Sequence, residues 1–110
     1  MSLVGLPLKM LTKIPRLRAE AEAAATLMRT LGNQDRLLIL CELSQWEMCV
    51  SELAERTGIV QPTLSQQLTV LREQGIVKTR RDGRRIHYSI ADAKALEVLK
   101  TLYRLYCGGK

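Results

Sequence analysis

Apolar and polar positions recur along the chain with two different periods. Arg16–Leu31 is rich in alanine and unbroken up to Gly32, and Pro15 stands where a helix can begin, because the N–H it lacks has no partner in a first turn. Asn33 predicts the N-cap of a second helix, with Asp35 adding negative charge at its positive end. Leu37, Leu38, Leu40, Cys41 and Leu43 give that helix a wide apolar face ending near Ser44 or Gln45. Met48–Val50 reads as a short extended piece. Ser51 then caps a helix of two turns or fewer over Glu52–Arg56, and Gly58–Gln61 makes a tight turn. The next helix, Thr63–Gln74, is entered through Pro62 and closed by Gly75, and carries Leu64, Leu68 and Leu71 on one face.

A short helix, a turn and a second helix with a polar outer face form a helix-turn-helix. After it the period drops to two. Ile76–Arg81 and Arg84–Ile90 are β-prone runs on either side of Asp82-Gly83, a dipeptide suited to a two-residue hairpin turn. Helical spacing returns at Asp92 or Ala93 in Ala95, Leu96, Leu99, Leu102, Tyr103 and Tyr106, and stops at Gly108-Gly109. The expected fold is therefore mainly α with a β-hairpin wing, a winged helix-turn-helix in the order ααααββα over residues 16–110, preceded by a flexible segment over 1–15.

A chain of 110 residues, 46% hydrophobic and 25% charged, is one soluble globular domain rather than a multidomain enzyme. Three cysteines are too few for a disulfide-stapled secreted fold, which favours a reducing, cytoplasmic setting. Leu3–Leu11 is apolar but broken by Pro7 and Lys9, with no small-residue cleavage site before Lys13–Arg18, and no run is long enough to span a bilayer. A net charge of +6 and a pI near 9.6 call for a polyanionic partner, nucleic acid or an anionic membrane surface.

Most of that charge is local. The hairpin carries Lys78, Arg80, Arg81, Arg84 and Arg85 against Asp82 alone, a net +4 of the chain's +6. An isolated hairpin of this kind reads equally well as a solvated edge protected from strand pairing. Directly after a helix-turn-helix, its arginines are positioned to neutralise phosphates or enter a minor groove. On the preceding helix Gln61, Thr63, Ser65, Gln66, Gln67 and Thr69 offer donors and acceptors and no negative charge, with Arg72 at the far end. About 20 Å of such a helix fits a major groove about 12 Å wide. Double-stranded operator DNA is the expected partner. One module reads only a few base pairs, so a homodimer is expected, with the alanine-rich first helix and the Leu/Tyr face of the last as its surfaces. There is no Ser-His-Asp set, phosphate loop or carboxylate pair, so no enzyme and no cofactor is expected, and a thiol-redox enzyme would need a Cys-x-x-Cys pair that is missing.

The segments Leu31-Gly32-Asn33-Gln34-Asp35-Arg36-Leu37-Leu38-Ile39-Leu40, Val50-Ser51-Glu52-Leu53-Ala54, Gln61-Pro62-Thr63-Leu64-Ser65-Gln66-Gln67-Leu68, Leu71-Arg72-Glu73-Gln74-Gly75-Ile76-Val77 and Tyr88-Ser89-Ile90 together resemble the ArsR/SmtB family of dimeric winged-helix repressors, over about residues 20–107. The resemblance implies a bacterial regulator that leaves its operator when an inducer binds. Arsenic and cadmium members carry Cys-Val-Cys before the third helix, where this chain reads Cys49-Val50-Ser51, and zinc and nickel members use Asp and His on the last helix, where Asp92–Tyr106 holds no His. The only His is His87 in the hairpin, so metal ligands are not expected. Cys41 and Cys107 are similar in position to the thiol pair of the BigR/SqrR-like branch, which includes HlyU-type regulators. That likeness implies a redox-sensing pair converted by persulfides or polysulfides to a disulfide or polysulfide bridge, with a metal- or general oxidant-sensing repressor as the alternative. Taken alone, Cys41 also suits a small buried hydrophobe and Cys107 an incidental terminal thiol. Cys49 has no assigned role.

Overall fold

Side-chain caps fix where the helices start. In the computed structural model, which describes residues 14–108, the chain runs α1 (Ile14–Leu31), α2 (Gln34–Leu43), β1 (Met48–Cys49), α3 (Val50–Thr57), α4 (Thr63–Glu73), β2 (Val77–Asp82), β3 (Arg85–Ile90) and α5 (Ala93–Tyr106). The flexible segment expected over 1–15 lies almost wholly outside the described residues. Asn33 Oδ1 accepts from the Arg36 amide at 3.0 Å, so the predicted cap satisfies a first-turn donor, and Asp92, where helical spacing is expected to return, caps the last helix in the same way, its Oδ1 accepting from the amides of Lys94 at 2.8 Å and Ala95 at 3.3 Å. At the other end of α4, Gly75 adopts φ 73°. The amide of Ile76 returns to Leu71 O at 2.9 Å and that of Gly75 to Arg72 O at 3.0 Å, the paired bonds that stop a helix through a left-handed residue.

Two expected boundaries move. The cap of α3 is Cys49 rather than Ser51, because the Glu52 carboxylate reaches back to accept the Cys49 amide at 2.9 Å and the helix starts at Val50. Ser51 therefore lies inside the first turn. In the wing, Asp82 pairs with Arg85, so the two loop residues are Gly83 and Arg84 rather than Asp82 and Gly83. Gly83, at φ 63°, takes the first loop position, where a type II′ turn requires positive φ. The hairpin also gains a strand: Met48 pairs with Tyr88 and Cys49 with His87, giving an antiparallel sheet in the order β1-β3-β2.

The core gathers Ile39, Leu40 and Leu43 of α2, Leu53 of α3, Leu64, Leu68 and Leu71 of α4, and Ala95 and Leu99 of α5 around Met48, Ile76 and Val77. On α2 the buried stripe is narrower than the expected apolar face. Leu38 and Cys41 are exposed and Ile39 points inward instead, because positions 39, 40 and 43 share one side of the helix and 38 and 41 the adjacent one. Among the described side chains, helix α1 meets this core through its last turn, at Leu27, Thr30 and Leu31. The rest projects, which gives a radius of gyration of 16.6 Å where a compact chain of this length has about 13 Å.

Candidate nucleic-acid interface and thiol pair

With Leu64, Leu68 and Leu71 committed to the core, the 3.6-residue period turns Ser65, Gln66, Thr69 and Arg72 of α4 to solvent. Gln61 precedes the helix and caps it, its Oε1 accepting the Ser65 amide at 3.0 Å. The Thr69 hydroxyl turns back to Ser65 O at 2.9 Å. Thr63 and Gln67 lie half-buried on the flank of this face. The Gln67 carbonyl oxygen is engaged by Arg36 of α2, whose Nη1 donates to it at 2.9 Å.

In the wing, Lys78, Arg81, Arg84 and Arg85 are exposed, and Arg81 Nε donates to Gly83 O at 3.3 Å. Arg80 is also exposed but is committed to a carboxylate. Its Nη2 lies 2.6 Å from Glu47 Oε1 and its Nε 3.0 Å from Glu47 Oε2, a side-on pair linking β2 to the residue just before β1. The hydrogen bond and the charge of Arg80 hold the Glu47 carboxyl below its ordinary range, and Glu47 in return keeps the guanidinium more firmly protonated. Sequence reasoning found the basic wing but missed Glu47 and Arg36. Both act through partners more than thirty residues away, which local spacing does not reveal.

Cys41 and Cys107 are both free and exposed, on α2 and at the end of α5. Cys41 lines a cleft of about 380 Å³ between the two helices with Ser44, Gln45, Leu99, Lys100 and Tyr103, and Cys107 follows Tyr103 by one turn. The Cys41 thiol is pushed up by desolvation, then by the Cys107 sulfur, whose charge opposes a Cys41 thiolate, then by Glu42. The pair named from sequence thus stands on α2 and at the end of α5, the two helices that wall this cleft, within a single chain. Cys49, in contrast, is buried, with Sγ 3.2 Å from the Ser51 hydroxyl. A single buried thiol beside a hydroxyl is a poor donor set for a soft metal. Among the described residues no group of three or more His, Cys, Asp or Glu is arranged to hold one. No helix among them is long and apolar enough to cross a membrane.

Residues 33–79, from the cap of α2 into β2, match the family model "Bacterial regulatory protein, arsR family". The transcriptional repressor BigR from Xylella fastidiosa is 43% identical, its structure superposing with a TM-score of 0.80 over 86% of this chain and 97% of that one. The chain belongs to the ArsR family. Reduced HlyU from Vibrio cholerae is 34% identical, with a TM-score of 0.80 over 84% of this chain and 97% of that one. A homodimeric winged helix-turn-helix DNA-binding domain from Mycobacterium bovis is 32% identical, with a TM-score of 0.70 over 82% of this chain and 83% of that one. The winged helix-turn-helix of this ArsR-family chain, read from its hydrophobic period and its hairpin, is the architecture of its structural neighbours.

Proposed function

We propose that the chain is a dimeric, DNA-binding transcriptional repressor that releases its operator when reactive sulfur species bridge Cys41 and Cys107. The observation that supports this reading is the cleft of about 380 Å³ between α2 and α5, which Cys41 lines from one side and Tyr103, one turn before Cys107, from the other. Ser65, Gln66 and Arg72 of α4 would face the major groove, with Gln61, Thr63 and Gln67 at its edge, and Lys78, Arg81, Arg84 and Arg85 of the wing would meet phosphates or the minor groove. Dimerisation is supported by the uncovered length of α1 and by Met28, Tyr103, Leu105 and Tyr106, exposed by 61, 64, 68 and 82%. The homodimer of the Mycobacterium bovis domain and the repressor description of BigR add to that support.

The chemistry needs only a persulfide. A cysteine thiolate attacks the outer sulfur of RSSH, becomes Cys–SSH and expels RSH. If the second cysteine is still a thiol, its thiolate attacks the inner sulfur of that persulfide and expels hydrosulfide, leaving a disulfide. If both carry a persulfide, one attacks the other, hydrosulfide again leaves, and three sulfurs remain in the bridge. Desolvation, then the Cys107 sulfur and Glu42, disfavour a Cys41 thiolate, which slows any attack by Cys41 itself. A bridge ties α2 to α5. Because α2 also holds α4 through Arg36 and Gln67, a constraint on α2 reaches the reading head, and a coupling of about 1–3 kcal/mol weakens operator binding roughly 5–150-fold.

The test is fluorescence anisotropy with a duplex that the reduced protein selects from a randomised pool. Glutathione persulfide is expected to weaken binding by the wild-type chain at least five-fold and to leave Cys41→Ser and Cys107→Ser unaffected. Equal release from all three would overturn the sensor while leaving DNA binding in place.

A further inference from the structure

Arg36 is anchored at both ends. It occupies the third position of α2, where its backbone amide is taken by the Asn33 cap at 3.0 Å. Its side chain runs back to the end of α1. There Nε donates to Thr30 O at 2.6 Å and Nη2 to Arg29 O at 3.2 Å, two of the last four carbonyls of α1, which the helix itself cannot satisfy. A cation at this end also meets the negative pole of the α1 dipole. The fork is therefore fixed before it reaches the reading helix, and its remaining arm, Nη1, donates to Gln67 Oε1 at 2.9 Å. One guanidinium thus joins α1, α2 and α4.

The chemistry of the two groups dictates which way the Gln67 amide faces. Arginine has five donors and no acceptor, so only the carbonyl oxygen of the amide can point at it. The Nε2 hydrogens then point the opposite way, and among the described residues no acceptor is bonded to them. Gln67 lies on the flank of α4 beside the exposed face that carries Ser65, Gln66 and Thr69. With its carbonyl oxygen turned to Arg36, the group it leaves available is the Nε2 donor. A free glutamine can pair adenine with both its donor and its acceptor; one whose oxygen is turned to Arg36 presents its donor first, which suits an acceptor such as guanine O6 or N7, thymine O4 or a phosphate oxygen.

We propose that Arg36 is a positioning residue for operator recognition, turning the Gln67 amide so that this chain presents a hydrogen-bond donor to an acceptor on DNA. The inference rests on the DNA-binding part of the function proposed above and is independent of the thiol chemistry. It assigns a role to a residue outside the polar face of α4, and it makes the bridge that Arg36 of α2 forms between α1 and α4 part of what the reading head recognises.

The experiment is a double-mutant cycle with Arg36→Met, Gln67→Met and the double variant, all reduced. Anisotropy is measured on the duplex selected by the wild-type chain and on a scrambled duplex, and each variant also repeats the selection from the random pool. If Arg36 acts through Gln67, each single variant binds roughly ten-fold more weakly, at about one hydrogen bond per half-site, and the double variant is no weaker than either. Relaxed selection at one shared base position in both single variants identifies a base acceptor. An unchanged motif with equal weakening on both duplexes identifies a phosphate. Effects that multiply in the double variant, or Arg36→Met binding like the wild type, overturn the proposal. Arg36→Met could instead act by loosening the fold, so Arg36→Lys, which keeps the charge at the end of α1 but loses the fork, is measured with it. Full binding by Arg36→Lys, with its selected motif intact, also overturns the proposal. Failure of the wild-type chain to select any duplex would instead remove the DNA-binding reading itself.

Discussion

Arg80 on β2 grips Glu47, the residue before β1, through two nitrogens at 2.6 and 3.0 Å. The pair ties the wing to the sheet's third strand at the point where β1 joins β3. It also divides the wing's charge into two kinds. Arg80 is balanced by a carboxylate within the chain, whereas Lys78, Arg84 and Arg85 have no such ion pair among the described residues.

That division is measurable as a salt dependence. Arg84→Ala and Arg85→Ala are each expected to weaken binding to every duplex and to make the slope of log K against log salt shallower by about one for each phosphate that the side chain no longer neutralises. The double variant Glu47→Ala/Arg80→Ala removes a neutral pair and should leave the slope unchanged. Titrations at four salt concentrations decide it, and a slope that falls only in the double variant would reverse the assignment.

Acid is expected to loosen the α3 end of the sheet. Hydrogen bonding by Cys49, first from its amide and then from its side chain, holds Glu52 below its ordinary value of 4.5, as Arg80 does Glu47. A carboxyl whose folded value is depressed stabilises the fold above its unfolded value and loses that contribution as the pH falls through the folded one. Urea unfolding should therefore change little with these groups above pH 5 and lose stability below about pH 4.5. The loss should be smaller in Glu52→Gln and Glu47→Gln. Identical acid limbs in the variants and the wild type would contradict this.

Cys41 should be a slow thiol in the folded chain. Its value lies above the ordinary 9.0, so its alkylation by iodoacetamide, followed by peptide mass spectrometry, should be slower in the folded than in the urea-unfolded chain at pH 7.5 and keep accelerating above pH 9.0. In Cys107→Ser the opposing charge is gone and the Cys41 midpoint should move down. An unmoved midpoint would mean that the two sulfurs do not sense each other.

Leu53 is fully buried where α3 meets the core. Leu53→Ala should cost about 2–5 kcal/mol of stability in denaturant unfolding. A loss under 1 kcal/mol would place α3 outside the cooperative core.

Much of this fold can be read in the chain, because its punctuation is local. Asn33, Asp92 and Gly75 act within three or four residues of where they stand, and Leu64, Leu68 and Leu71 reveal their face by spacing alone. Where the reading shifts, a longer reach decides. Ser51 yields the cap to Cys49 because Glu52 bonds backward, and a two-residue strand such as β1 shows no period and exists through its pairing with β3. Cys41 looks like a core residue in its run of leucines, yet it lies one stripe away from Leu40 and opens onto the cleft. Arg36 and Glu47 are invisible to sequence patterning because their partners are set by the packing of separate elements.

The most direct measurement is peptide mass spectrometry on the reduced protein after separate exposure to glutathione persulfide, hydrogen peroxide and zinc, with duplex binding read on the same samples. The account predicts a Cys41–Cys107 link within one chain after persulfide, as a disulfide or with one added sulfur, and loss of DNA binding in proportion to it. Release from DNA by persulfide without that link, or release by bound zinc with both thiols unmodified, would contradict it.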